Sequence, residues 1–188
     1  MDAIETLRRA GEAYRARLGG VRADQWDQRS VCDGWTVKEL ADHVLGGNRF
    51  AVPLLSGASA DAALTIALEG GFDGDLLGLY DTSAAAQLEA FSAPGALDAE
   101  VAHPSGPTDG RTFAGLRAGD QLLHGWDLAR STGQDEGLDE GVAAAVWAVY
   151  EPRLTGPTGD RFGDGASGTV PDDAPVVLRL LDRSGRRP

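Results

Sequence analysis

A chain of 188 residues, 42% hydrophobic and 24% charged, suits one well-packed soluble domain and is short for two. Its 17 basic and 29 acidic residues leave a net charge of −12, which argues against nucleic acid and against an anionic membrane surface as partners. Cys32 is the only cysteine, so intrachain disulfides and multi-cysteine metal sites are excluded, and a metal would have to be held by His, Asp or Glu.

Ile4, Leu7, Gly11, Tyr14 and Leu18 recur at helical spacing and predict an amphipathic helix over 2–18, stopped by Gly19-Gly20. Trp26 anchors the connector that follows. Thr36 and Glu39 form a capping box, with Trp35 and Leu40 placed as a hydrophobic staple. That start sets the register of a second helix: Leu40, Val44, Ala51 and Leu54 face inward, and His43 lies at the edge. Gly47, one turn on, is expected to leave room beside the imidazole, and Pro53 to kink or end the helix.

Residues 56–80 are ambiguous, with short helical pieces expected around Gly70-Gly71 and Gly74. Asp81 or Thr82 is expected to cap a third main helix running to Phe91. Residues 97–112 read as a long crossover with a hairpin turn at Asp109-Gly110. A fourth helix is expected from about Thr112 to Thr132, closed by Gly133. A fifth should run from Leu138 to about Tyr150, ahead of Pro152. Residues 155–175 read as a surface loop, 176–181 as a short docking helix, and 184–188 as a frayed end. The pattern predicts an all-α fold, a four-helix bundle with one long crossover and an additional C-terminal helix. No segment has the length of a membrane span and the N-terminus has no signal-peptide layout, so a cytoplasmic protein is expected.

Asp120 and His124 stand four residues apart on a face that otherwise carries Phe113, Leu116 and Leu123. Buried acid and imidazole need a partner, and a divalent metal is one. His43 is the best third donor from a facing helix. Two imidazoles and a carboxylate suit zinc, nickel or iron, with a position left for water or substrate. The plain alternative is an Asp120–His124 hydrogen bond or ion pair. Asp127 either orients a ligand histidine or pairs with Arg130 or Arg117. Trp35 and Trp126 read as core or helix-start anchors rather than substrate platforms. Cys32 reads as a small buried hydrophobe, with a reactive thiol as the alternative, and His103 as a surface loop residue.

Two motifs carry a resemblance. Cys-Asp-Gly-Trp-Thr-Val-Lys-Glu-Leu-Ala-Asp-His-Val (32–44) and Asp-Gln-Leu-Leu-His-Gly-Trp-Asp-Leu-Ala-Arg-Ser-Thr-Gly-Gln (120–134) resemble those of the mycothiol-dependent maleylpyruvate isomerase family, in the DinB-like metalloprotein superfamily. The resemblance implies a DinB-like bundle over 1–153 with a divalent metal, usually taken to be zinc, held by His43, Asp120 and His124. Residues 154–188 would be a loop and docking helix of the same domain, and Pro-Asp-Asp-Ala-Pro (171–175) resembles the ending of small single-domain members. The chain departs from the isomerase in having Asp120 where that enzyme has Glu, and in being too short for its separate C-terminal domain. The expected function is a metal-dependent S-transferase or isomerase acting on a low-molecular-weight thiol, such as mycothiol as co-substrate, and an electrophile. A non-catalytic metal- or ligand-binding bundle is the alternative, and a homodimer is left open.

Overall fold

The computed structural model describes residues 1–69, 71–154 and 165–188. Its main helices are α1 (Ala3–Gly19), α2 (Val37–Leu55), α3 (Ala60–Leu68), α4 (Leu76–Ser92), α5 (Gly110–Thr132), α6 (Glu140–Leu154) and α7 (Val176–Arg183). Helices α1, α2, α4 and α5 close a four-helix ring: α1 packs on α5 and α4, and α2 packs on α4 and α5. Helix α3 lies against α2, α6 against α5 and α1, and α7 against α6. The all-α bundle with an extra C-terminal helix is therefore as expected. Among the described residues no helix is long and apolar enough to cross a membrane.

The helix starts follow from local chemistry. Thr36 Oγ1 accepts the Glu39 N–H at 3.2 Å while Glu39 Oε2 accepts the Thr36 N–H at 2.7 Å, the reciprocal box expected from sequence. Leu40, Val44, Ala51 and Leu54 are all buried in consequence. Helix α4 starts earlier than expected, because Asp75 accepts the Gly78 N–H at 3.1 Å and acts as the cap. Asp81 instead lies inside the helix and pairs with Arg15 of α1 at 2.6 Å, and Thr82 bonds back to Gly78 O. Asp109-Gly110 is likewise not a turn. The short hairpin pairs Glu100 with Asp109 and Val101 with Thr108, and Asp109 caps α5 through the Thr112 N–H. Gly133, at φ 72°, closes α5 as expected.

Neither proline stops its helix where expected. Helices α2 and α6 each run two residues past Pro53 and Pro152, so the missing N–H and the upstream carbonyl it would have bonded fall within the last two turns, where each helix ends. Part of the expected 155–175 loop, residues 155–164, lies outside the described residues, and 165–175 form neither helix nor strand. The end of the chain is not frayed throughout. Ser184 is buried, and Arg186 is held against α5.

Gly47 has a different neighbour from the one expected. A Cβ there would collide with the guanidinium of Arg117, not with an imidazole. Gly47→Ala should push that guanidinium off its partners and cost about 2 kcal/mol, as other overpacked sites do. Denaturant unfolding measures this; an unchanged midpoint would contradict the packing described.

Candidate metal centre

Three donors from two helices, α2 and α5, meet at one place in the bundle. His43 Nε2 lies 3.2 Å from Asp120 Oδ1, and His124 Nε2 lies 3.6 Å from the same oxygen. All three donor atoms are within 4.8 Å of one another. Helix α2 supplies His43 in the register that its capping box sets. Helix α5 supplies Asp120 and His124 from adjacent turns of one face. The two imidazoles meet edge to face with centroids 4.9 Å apart, and the Trp35 ring lies 4.9 Å from His43 and 6.0 Å from His124.

Each donor on α5 is fixed from behind. Asp120 Oδ2 accepts from Arg117 Nη1 at 2.8 Å. Arg117 is itself buried and donates to Gln87 Oε1 of α4, and to Asn48 Oδ1 and Val44 O of α2. Burial opposes a charge on Asp120, but Arg117, His43 and His124 together outweigh it and hold its carboxyl far below the usual carboxylate range. The face is thus not apolar apart from the acid and imidazole: Arg117, one turn before Asp120, supplies the missing counter-charge.

Behind His124, its Nδ1 contacts Asp127 Oδ2 at 2.9 Å. With Nδ1 carrying the proton toward that carboxylate, Nε2 is the lone-pair nitrogen facing Asp120. Asp127 does not pair with Arg130 or Arg117. Its cation is Arg186, which donates from Nε at 3.0 Å to Oδ1 and from Nη2 at 2.6 Å to Oδ2. Burial raises the Asp127 pKa, but the bond from His124 and the charge and bonds of Arg186 win and bring it down to about 2. Sequence reasoning misses Arg186 because it stands 59 residues from Asp127, in a segment that reads as a loose end.

Cys32 takes part differently from either expectation. Trp35 N–H closes a turn on Cys32 O at 3.1 Å, with Gly34 at φ 84°, a conformation that favours glycine. The turn brings the thiol to 3.3 Å from Asp127 Oδ2, to which it donates. Burial, reinforced by the Asp127 carboxylate, pushes the Cys32 pKa well above its usual value, so it is a proton donor and not a reactive thiolate. Cys32, His124 and Asp127 also cluster within 4.8 Å, but hydrogen bonds already occupy Asp127 from three sides. In the other cluster His43 Nε2 bonds Asp120 Oδ1 and His124 Nε2 faces the same oxygen, and two imidazole nitrogens with one carboxylate oxygen fit a first-row divalent ion that would take the place of that bond.

The other aromatic and imidazole residues separate clearly. Trp126 is buried and stacked under Arg130 at 4.8 Å, a core anchor as expected. Trp35 packs on the core at one side but also stands over the two imidazoles. His103 is half-buried in the crossover, its ring 5.3 Å from Phe113.

Removing one side of the Asp127–Arg186 pair leaves a desolvated charge. Arg186→Met should therefore destabilise the fold by about 3 kcal/mol, and Arg186→Lys should restore only part, since one ammonium cannot reproduce the two-pronged contact. Equal stability of all three proteins in urea would count against this role. Because the folded pKa of Asp127 is below the unfolded value of about 3.9, its contribution is present above about pH 4 and lost as pH falls toward about 2. The stability gap between wild type and Asp127→Asn should shrink across that interval.

Residues 7–129 match the Mycothiol maleylpyruvate isomerase N-terminal domain family. The uncharacterized proteins Rv0738 and MT0763 of Mycobacterium tuberculosis (strains ATCC 25618 / H37Rv and CDC 1551 / Oshkosh) are each 38% identical over 195 aligned positions, covering 99% of this chain and 98% of theirs. The bundle also superposes on two crystal structures of the mycothiol-dependent maleylpyruvate isomerase, one of them a mutant with a histidine replaced by alanine. For both, the TM-score is 0.58 and the identity 15%, over 81% of this chain and 68% of that one, a likeness of fold. The match over most of the bundle, together with near full-length relatives, shows that this chain belongs to the mycothiol maleylpyruvate isomerase N-terminal domain family.

Proposed function

We propose that the protein holds one divalent metal ion through His43 Nε2, Asp120 Oδ1 and His124 Nε2, and uses it in a thiol-dependent transfer or isomerisation with a low-molecular-weight thiol of the mycothiol type. The observation that carries this reading is the convergence of three donors whose other polar atoms on α5 are held by Arg117 and Asp127, while the converging atoms face one another, His43 Nε2 within hydrogen-bond distance of Asp120 Oδ1. The family name and the fold neighbours support mycothiol as the thiol. Zinc fits the donor set, and nickel and iron share its preferences.

When bound, such an ion supplies Lewis acidity that lowers the pKa of a thiol and stabilises its thiolate. The chain's own residues do the rest. Asp127 keeps the His124 proton on Nδ1, with Arg186 keeping Asp127 charged. Arg117 holds Asp120 ionised and turned so that Oδ1 faces the imidazoles. Trp35 limits water around both rings. His43, whose side chain is 41% exposed, marks the side from which substrate arrives. In transfer, sulfur forms a bond to the electrophilic carbon, the thiol proton passes to solvent, and the leaving group departs with its bonding pair. In this reading residues 1–153 carry the site and 154–188 complete the same domain, in the cytoplasm, where thiols are kept reduced.

Protein purified without a histidine tag should contain about one equivalent of metal by elemental analysis. His43→Ala and His124→Ala should each lower metal retention at least about tenfold, and Asp120→Asn somewhat less, in line with loss of a ligand or its charge. Unchanged metal content in both histidine variants would remove the proposed site. Metal-loaded wild type should accelerate conjugation of a thiol with an electrophile. Bound metal without turnover across a broad panel would favour the non-catalytic binding alternative.

A further inference from the structure

A cavity of about 610 Å³, formed largely between α2 and α3, has one of the three donors, His43, on its lining. That volume falls in the range of small-molecule sites. His43 and Arg117 both line it, so whatever fills it reaches the donor cluster. Its walls are apolar: Phe50 of α2, Leu64 and Leu68 of α3, and Phe72. Leu64 and Leu68 are 52% and 55% exposed, an unusual cost for α3 unless a ligand covers them.

Acidic side chains outnumber basic ones on the lining of this cavity. Glu39, Asp42 and Asp61 are on its lining. Among the described lining residues Arg117 is the only arginine or lysine, and its guanidinium is already committed to Asp120, Gln87, Asn48 and Val44 O. Lys38, close by in sequence, is bound to Asp42 at 2.7 Å. A carboxylate arriving here would meet Glu39, Asp61 and the Lys38-paired Asp42 but no unpaired arginine or lysine of the lining, whereas carboxylate sites normally offer an arginine fork or a similar donor.

Resting on the thiol-dependent reading above, we infer that the electrophile taken by this site is a neutral, predominantly apolar molecule, its body held between α2 and the exposed leucines of α3. A carboxylate-bearing substrate, such as the maleylpyruvate in the name of the fold neighbours, is disfavoured by this lining.

Isothermal titration of the metal-loaded protein with 1-naphthamide and with 1-naphthoate tests this without any thiol or turnover. The two probes share size and shape, and the carboxylate is the better metal ligand, so direct coordination works against the expected result. The amide should bind at least about tenfold more tightly. Leu64→Asp, at an exposed position, should weaken amide binding by a similar factor. Asp61→Lys should narrow the gap by strengthening naphthoate binding severalfold. Naphthoate binding as tight as the amide, no amide binding, or amide binding indifferent to Leu64→Asp would each overturn the inference. Amide binding with no thiol chemistry would leave the site's preference for a neutral apolar ligand standing and sink the reading of that ligand as an electrophile.

Discussion

The Arg117–Asp120 ion pair is the interaction on which the rest of the site depends. Arg117 rises from α5 and joins it to α4 through Gln87 and to α2 through Asn48 and Val44 O. Asn48 extends the node, accepting from Gln121 and donating to Ser83. A guanidinium this deep is costly unless all its neighbours are in place, so the network favours one mutual arrangement of three helices. Gly47 is the concession that α2 makes to it, a missing side chain where the guanidinium lies. The same pair leaves Asp120 with one oxygen bound and the other turned to His43 and His124.

His124 sits between two carboxylates of its own helix. Asp120 faces its Nε2 and Asp127 its Nδ1, and each acid is clamped by an arginine from its far side. The arrangement separates two roles that isolated aspartates would share. One carboxylate stays available beside the imidazoles, and the other is saturated by Arg186, His124 and Cys32. That saturation explains why the cluster containing Cys32 is closed while the neighbouring one is open, although their donor atoms lie equally close together.

What the sequence makes legible is what depends on short range. The Thr36–Glu39 box sets the phase of α2, hence the position of His43, and the four-residue spacing puts Asp120 and His124 together on α5. Arg117 and Arg186 cannot be matched to their acids from sequence, because nothing local distinguishes a buried arginine from a solvated one. Arg186 in particular follows a Ser-Gly step that looks unstructured until α7 docks on α6 and delivers it. The late start expected for α4 has a related cause: Asp81 and Thr82 are good caps by type, yet tertiary pairing with α1 uses one and back-bonding uses the other. Gly47 is legible as a place where space is needed, but the occupant comes from another helix.

The hold of Arg186 on Asp127 also bears on the order in which the protein can be finished during synthesis. Helices α1 to α6 are complete before Arg186 exists, and domains begin to fold as they are made. Until the tail arrives, Asp127 is being enclosed with an imidazole and a thiol but no cation. A bundle built only as far as α6 therefore has the rear of the site unlatched, and Arg186, three residues past α7, acts as the closing bolt.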